Sequence, residues 1–184
     1  DAARNAFFTV SSVMSTTGFV STDFNLWPEF SKTVLVLLMF GGACAGSTCG
    51  GMKLSRIVIL FKGLVREFRT AIHPKQVKRI TVDGRPVEEG VVHTVFIYAF
   101  CLFAVLAGSV LLISADRADL TTNVTAVITT LNNVGPGLNL VGPAGNFAFY
   151  SGFSKAVLIF DMLAGRLELF PMLLLFYPRT WKRH

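Results

Sequence analysis

The sequence predicts an all-α membrane protein built from repeats, in which short re-entrant helices alternate with apolar spans and the inner spans are broken. Composition is the first observation, because 52% of the residues are hydrophobic and only 15% are charged, whereas soluble domains carry about 25% charged residues. The second is one apolar stretch of spanning length beside two interrupted ones, and the third is an internal repeat. The same composition excludes a disordered chain, and three Cys in 184 residues exclude a disulfide scaffold.

Three stretches have the hydropathy of membrane spans. Val91 to Ala115 is continuously apolar without a full charge, and a bilayer core of about 30 Å needs about 20 such residues. Thr33 to Ala45 is apolar but short, and it runs into a glycine-rich segment. Ala156 to Tyr177 carries three charged residues, Asp161, Arg166 and Glu168. Interrupted spans at corresponding places favour a transport site, because freed backbone groups inside a membrane must line a cavity or be buried in protein.

The basic residues predict the orientation in the membrane. Nine of the 17 Lys and Arg residues lie between Lys53 and Arg85, and three more follow the last span. Cytoplasmic segments carry such an excess, so both regions are predicted to be cytoplasmic. This topology accounts for most of the net charge of +6 and disfavours nucleic acid as a partner. No signal peptide is visible, and the abrupt start at Asp1 leads us to expect a piece of a longer chain.

One pattern occurs twice along the chain. Phe30 to Leu35 is matched by Phe153 to Leu158 at an offset of 123 residues. Upstream, Val10 to Phe19 aligns with Val127 to Pro136 at an offset of 117 residues. Each copy is therefore predicted to hold a short helix, a polar turn at a glycine, an external loop and an inward span.

The short helices of the two copies, Ala2 to Ser15 and Leu120 to Leu131, have the length of re-entrant segments. Asp119 is a suitable residue to begin the second of them. A helix that ends inside the membrane directs the negative end of its dipole at whatever lies beyond, which favours a cation. Gly18 and Gly135 can adopt backbone angles that turn carbonyl oxygens toward an axis. The alternative is an ordinary turn at each helix end.

Five motifs carry a resemblance to a known family: STTGF (Ser15 to Phe19), GGACAGSTCGGMK (Gly41 to Lys53), HP (His73-Pro74), LNNVGPGL (Leu131 to Leu138) and MLAGRLELF (Met162 to Phe170). In this order they resemble the C-terminal part of the Trk/Ktr potassium-uptake family, closest to the TrkH-type membrane subunit. The resemblance implies four helix–pore-helix–helix repeats around one pore. This sequence would hold the pore helix and inner helix of the third repeat and all of the fourth, without the N-terminal repeats of the same subunit.

The resemblance also implies a potassium filter. The third filter strand would consist of Thr16, Thr17, Gly18 and Phe19, and the fourth of Asn133, Val134, Gly135 and Pro136. K⁺ would bind at Thr17, Gly18, Val134 and Gly135 as the transported ion, and no cofactor is expected. Because the fourth strand departs strongly from the third, equal rings of carbonyl oxygens are not expected.

A gate is implied as well, in an intramembrane loop that breaks the third inner helix: Gly41, Gly42, Ala43, Cys44, Ala45, Gly46, Ser47, Thr48, Cys49, Gly50 and Gly51. Its glycines and small residues disfavour a helix, although close helix packing is the alternative.

Arg166 would contact this loop from across the pore; pairing with Glu168 or another repeat is the alternative. Asp161, where the family more often has a neutral residue, could pair with Arg166 or attract a cation. A phosphate loop is disfavoured because Met52 stands where that motif requires Lys.

The chain is predicted to divide into three parts. Residues 1–75 hold a pore helix, a filter strand and a broken inner helix, residues 76–90 form a cytoplasmic hairpin linker with a turn at Asp83-Gly84, and residues 91–184 form a complete repeat. The resemblance implies a multi-pass homodimer in the bacterial cytoplasmic membrane, in contact with the lipid bilayer, with its C-terminus in the cytoplasm. It also implies a cytosolic ring of nucleotide-binding, TrkA-like regulatory subunits.

Two other function classes stay open on the residues alone. A membrane-embedded enzyme would use Asp161, Arg166 and Glu168, but these supply no nucleophile–base pair and no metal set, so no enzyme is predicted. A non-transporting scaffold would use the small residues only for helix packing. A measurement of ion flux distinguishes a cation pathway from both the enzyme and the scaffold.

Overall fold

Helices account for almost all of the regular structure. The computed structural model describes residues 1–41, 52–72, 80–82 and 84–167. Within these ranges lie six α-helices: α1 (Ala2–Met14), α2 (Glu29–Phe40), α3 (Leu54–Ile72), α4 (Glu89–Ile113), α5 (Leu120–Leu131) and α6 (Gly152–Arg166). A small antiparallel sheet of β1 (Thr81–Val82) and β2 (Arg85–Pro86) connects α3 to α4. The predicted all-α fold class is confirmed.

The longest helix, α4, coincides with the apolar stretch that predicted a membrane span. It continues as a 3₁₀ turn as far as Asp116, and among the described residues it is the one helix that is long and apolar enough to cross a bilayer. Phe100 and Leu111 are each 76% exposed on its surface. Such side chains suit a hydrocarbon environment, so we treat α4 as membrane-spanning.

The short helices have nearly the predicted boundaries, whereas the inner helices begin earlier than hydropathy indicated. The side chain of Asp119 accepts the backbone N–H of Thr122 at 3.0 Å, which confirms the predicted start of α5. Helices α2 and α6 start at Glu29 and Gly152, ahead of their apolar stretches. The reason at α6 is a polar cap, because Ser151 Oγ accepts the N–H of Ser154 at 3.3 Å. The continuations of both predicted spans lie outside the described residues.

The two repeats share one hydrophobic core. Val13, Phe24 and Leu35 of the first repeat pack in the same buried cluster as Ile128 and Leu138 of the second, and none of the five is more than 6% exposed. A second cluster joins α4, α5 and α6 through buried residues that include Ile113, Val127 and Leu158. The fold therefore holds the ends of α1 and α5 against each other.

The predicted hairpin is present and packs on α3. Val82 pairs with Arg85 across the turn at Gly84, while Asp83 lies outside the described residues. Lys62 donates to the carbonyl oxygen of Thr81 at 2.7 Å, and Arg66 pairs with Glu89 at 2.5 Å. These contacts fix the hairpin between α3 and the start of α4.

Candidate functional site

The C-terminal ends of α1 and α5 have the same backbone hydrogen bonds. In the first copy, the N–H groups of Ser15, Thr16 and Thr17 donate to the carbonyl oxygens of Ser11, Val13 and Ser12 at 3.0, 3.1 and 2.9 Å. In the second, those of Asn132, Asn133 and Val134 donate to Ile128, Thr130 and Thr129 at the same three distances. All three pairs stand at the offset of 117 residues that the sequence comparison indicated. The repeat is therefore present in the structure as well as in the sequence.

The backbone angles repeat in the same way. Thr16 and Asn133 have φ of 53° and 55°, the left-handed residue of a Schellman helix end. Two residues later, Gly18 and Gly135 have φ of 74° and 111°. Thr16 and Asn133 thus each close a helix-end turn, and this geometry is compatible with both interpretations of the sequence. The second left-handed residue lies beyond that turn, at a position where a residue other than glycine is strained.

The two glycine-containing strands are in direct contact. A Cβ atom on Gly18 would lie 2.4 Å from the carbonyl oxygen of Val134 and 3.5 Å from Cδ of Pro136. A Cβ atom on Gly135 would lie 4.0 Å from Cα of Gly18. The two strands predicted from the sequence are therefore in contact, and Gly18 of the first lies against the backbone of the second at Val134.

A cavity of about 550 Å³ adjoins both strands. Thr16 and Thr17 line it from the first strand, and Asn133, Val134 and Gly135 from the second. The remaining wall comes from α5, α6 and the loop before α6. Thr129 and Thr130 belong to α5, and α6 contributes the apolar side chains of Leu158, Ile159 and Met162 and, near the loop, Lys155. Five of the eight predicted filter residues thus face one cavity.

The two strands are supported differently. Ser12 Oγ donates to the carbonyl oxygen of Phe19 at 2.7 Å, so a side chain of α1 supports the end of this strand. Phe19 itself is 71% exposed. In the second strand, Asn133 Nδ2 donates to the carbonyl oxygen of Met162 on α6 at 3.2 Å. This asymmetry agrees with the expectation that the strands are not equivalent.

The predicted gate falls mostly outside the described residues. Gly41 ends α2, and residues 42–51 are not described. Arg166 is the last residue of α6, with an exposed side chain. The proposed contact between Arg166 and the loop stays a prediction.

Asp161 has a partner that the sequence did not indicate. Its carboxyl is fully buried, and Oδ1 accepts a hydrogen bond from Ser109 Oγ of α4 at 2.7 Å. Within the described part of the chain, Oδ2 has no partner. The carboxyl of Asp161 thus bonds to α4, and its pairing with Arg166, considered above, is not formed.

Replacing Ser109 by Ala should therefore destabilise the protein by about 1–3 kcal/mol, because a buried carboxyl oxygen loses its donor. The measurement is thermal unfolding of the detergent-solubilised full-length protein. Ser114→Ala is the matched control, since its hydroxyl bonds locally to the carbonyl oxygen of Val110 at an exposed position. Equal unfolding temperatures for both variants would contradict a role of Ser109 in satisfying Asp161.

A contact between the two loops also went unnoticed in the sequence. Asn25 Oδ1 accepts the backbone N–H of Asn139 at 2.9 Å, and Asn25 Nδ2 donates to the carbonyl oxygen of Asn139 at 3.2 Å. Asn139 Nδ2 donates to Asp119 at 2.9 Å. The hydrogen bond from the Thr122 hydroxyl stabilises the charged form of Asp119 most, and the bond from Asn139 adds a smaller contribution. Both lower the pKa of the Asp119 carboxyl. The resulting stabilisation is present at neutral pH and is lost as pH falls through the lowered, folded-state pKa.

Among the described residues, no group of three or more His, Cys, Asp or Glu side chains could hold a metal ion. The polar groups at the site are instead backbone, hydroxyl and amide groups at the ends of two short helices, together with Lys155, whose ammonium group donates to the carbonyl oxygen of Ala148 at 2.9 Å. Together with α4, this arrangement defines a repeat-built helical membrane protein with one site shared between its repeats.

The chain belongs to the TrkH family of cation transport proteins, whose family model matches residues 1–183. The Trk system potassium uptake protein TrkH of Salmonella typhimurium is 40% identical over 179 residues, which cover 97% of this chain and 37% of that protein. The TrkH of Vibrio parahaemolyticus is 39% identical over 182 residues, covering 99% of this chain and 37% of that protein.

The fold has a counterpart among solved structures. The crystal structure of the potassium transporter TrkH from Vibrio parahaemolyticus matches with a TM-score of 0.80 and 38% identity, over 92% of this chain and 36% of that one. The chain thus spans a little over one third of the length of these relatives. The predicted family and fold class are both confirmed.

Proposed function

We propose that this chain forms half of a potassium pathway, in which the strands after α1 and α5 supply two of the filter strands. The observation that carries the proposal is the contact between Gly18 and the carbonyl of Val134, made by two strands with matched backbone geometry. Relatives of the chain are named potassium uptake proteins. Two repeats that meet at their glycines are suited to a single axial path for an ion.

Backbone chemistry would carry the selectivity. Carbonyl oxygens replace the hydration shell of K⁺ in potassium filters, and the proposed ligands are the carbonyls of Thr17, Gly18, Val134 and Gly135. The negative ends of the α1 and α5 dipoles point beyond the helices toward this region and favour a cation. The N-terminal repeats of the subunit would complete the ring of ligands.

The proposal also covers a gate in the pathway and the partners of the subunit. The glycine-rich segment after Gly41 would close the pathway, with Arg166 as its contact, because a guanidinium suits the carbonyls of an unwound loop. The subunit would be a homodimer in the bacterial cytoplasmic membrane. Basic residues on α3, namely Lys62, Arg66 and Arg69, would lie on the cytoplasmic side, where a TrkA-like nucleotide-binding ring would dock.

The function is tested with the full-length protein that carries this sequence, expressed in a bacterial strain that lacks its own potassium uptake. Growth at low external K⁺ should be restored, and vesicles containing the protein should take up K⁺ in preference to Na⁺. Normal amounts of membrane-inserted protein without K⁺ uptake would contradict the proposal.

The orientation has a separate test. A reporter placed in the hairpin turn at Gly84 should score cytoplasmic, and one at Arg117, beyond the end of α4, should score external, because α4 lies between them and the basic residues cluster near the hairpin. Both sites are exposed, so an insertion there disturbs no core. Finding the two reporters on one side would rule out α4 as a membrane span.

A further inference from the structure

The contact between Asn25 and Asn139 joins residues that are 114 positions apart, one in the loop of each repeat. Asn25 uses both ends of its amide, so the pair of bonds fixes orientation as well as distance. Hydrogen bonds are directional, whereas the apolar core that the repeats share is not. We call Asn25, Asn139 and Asp119 the amide clamp.

Local contacts on both sides of the amide clamp fix the positions of Asn25 and Asn139. Asp23 accepts the backbone N–H of Asn25 at 2.9 Å, and the neighbouring Phe24 is only 1% exposed. On the other side, Asn139 has φ of 54°, a conformation that asparagine adopts more readily than most residues. A Cβ atom on Gly142 would lie 2.1 Å from Asn25 Nδ2, so the chain carries glycine where the amide passes.

A short, braced segment connects the clamp to the second glycine strand. Asn139 follows Gly135 by four residues. Between them, the N–H of Gly137 donates to the carbonyl oxygen of Val141 at 2.7 Å, and the N–H of Leu138 donates to Thr125 Oγ1 of α5 at 3.1 Å. These bonds make the segment stiff, so Asn139 and the second glycine-containing strand keep a fixed spacing, and the bonds to Asn25 set the position of that unit relative to the first repeat.

We infer that Asn25 and Asn139 are positioning residues that set the spacing between the two glycine-containing strands and thereby help to fix the ion selectivity of the pathway. The inference rests on the proposed function, because it assigns selectivity to those strands. It adds a polar link between repeats, outside the strands themselves, as a determinant of that selectivity.

Asn25→Ala tests the inference in the full-length protein. The variant removes both bonds to Asn139, and we expect the K⁺ over Na⁺ permeability ratio to fall about fivefold or more at equal amounts of inserted protein. Asn25→Asp keeps an acceptor for the Asn139 N–H but places a carboxylate oxygen against the Asn139 carbonyl oxygen, so it should lower the ratio as well. Asn146→Ala is the matched control, since Asn146 Oδ1 accepts only a local bond, from the N–H of Ala148 at 2.9 Å, among the described residues.

A second substitution tests whether the effect runs through the same contact. Gly142→Ala should lower the permeability ratio because its Cβ meets Asn25 Nδ2. In the Asn25→Ala background the same change should cost less, since the amide of Asn25 is gone and only the carbonyl oxygen of Asn139, at 2.9 Å, still lies too close. A permeability ratio that is unchanged in Asn25→Ala, or additive effects in the double variant, would overturn the inference.

A distance measurement separates this inference from the proposed function. Spin labels at Leu26 and Leu140, which are 86% and 54% exposed, report the separation of the two loops. Their distance distribution should broaden in Asn25→Ala and stay narrow in Asn146→Ala. If the unaltered protein carries no K⁺, the proposed function fails, while the label distances still decide whether the clamp holds the repeats together; identical distributions in all variants would overturn it.

Discussion

Gly18→Ala should lower the K⁺ over Na⁺ permeability ratio of the full-length protein by at least about tenfold, or abolish conduction. Two costs combine. The residue has φ of 74°, and its new Cβ would lie 2.4 Å from the backbone carbonyl of Val134. Left-handed strain of about 1–2 kcal/mol and overpacking of about 1–3 kcal/mol both favour a displaced strand. Loss of about 1.4 kcal/mol from the difference between K⁺ and Na⁺ binding free energies then corresponds to a factor of ten. Because the obstacle is backbone, the two strands must move apart.

The control for this experiment is Gly108→Ala in α4, where a Cβ atom meets nothing within 4 Å. It should leave permeability unchanged. Gly135→Ala should have a smaller effect than Gly18→Ala, because a Cβ there comes no closer than 4.0 Å to Gly18 and only the conformational strain remains. An unchanged permeability ratio in Gly18→Ala would remove this glycine from the selectivity site.

Gly165→Ala should reduce the amount of correctly folded protein severely. A Cβ atom at Gly165 would lie 1.8 Å from the carbonyl oxygen of Leu131 and 3.0 Å from Asn133 Nδ2. Helix α6 therefore packs directly on the end of α5, and the added methyl must push the two helices apart at a cost of about 3 kcal/mol or more. The bond from Asn133 to Met162 would be lost with this displacement, so the second strand would lose its support from α6.

Helix α6 itself supplies the matched control. Gly152→Ala introduces the same methyl where nothing lies within 4 Å, so it should preserve both yield and transport. The measurement is the monodisperse fraction after solubilisation, followed by K⁺ uptake of what folds. Wild-type yield and uptake in Gly165→Ala would contradict the close packing of α6 on α5.

Local patterns in the sequence predicted the elements well because each depends on neighbouring residues. Hydropathy indicated α4, the Asp119 cap indicated the start of α5, and Asp83-Gly84 indicated the hairpin turn. The repeat offset aligned Gly18 with Gly135, and both glycines have positive φ. A cap, a turn, an apolar stretch or a repeated pattern can be recognised in the sequence without knowing the fold.

Contacts across the fold could not be predicted in this way. The bonds from Asn25 to Asn139 and from Ser109 to Asp161 join residues far apart in sequence, and no periodicity marks a residue whose partner comes from another element. Phe19 shows the same limit within one motif. The motif placed it in the filter strand, but gave no sign that Ser12 donates a hydrogen bond to its carbonyl oxygen.

The central claim is that the strands after α1 and α5 bind one cation between them. Thallium binds in place of K⁺ and scatters X-rays anomalously, so diffraction from crystals of the full-length protein grown in a thallium salt tests this claim most directly. We expect an anomalous peak in ligand contact with backbone carbonyls of both strands, at Thr17 or Gly18 and at Val134 or Gly135. This peak should weaken in Gly18→Ala. A strong peak elsewhere in the protein, with none between the two strands, would contradict a cation site shared by the strands.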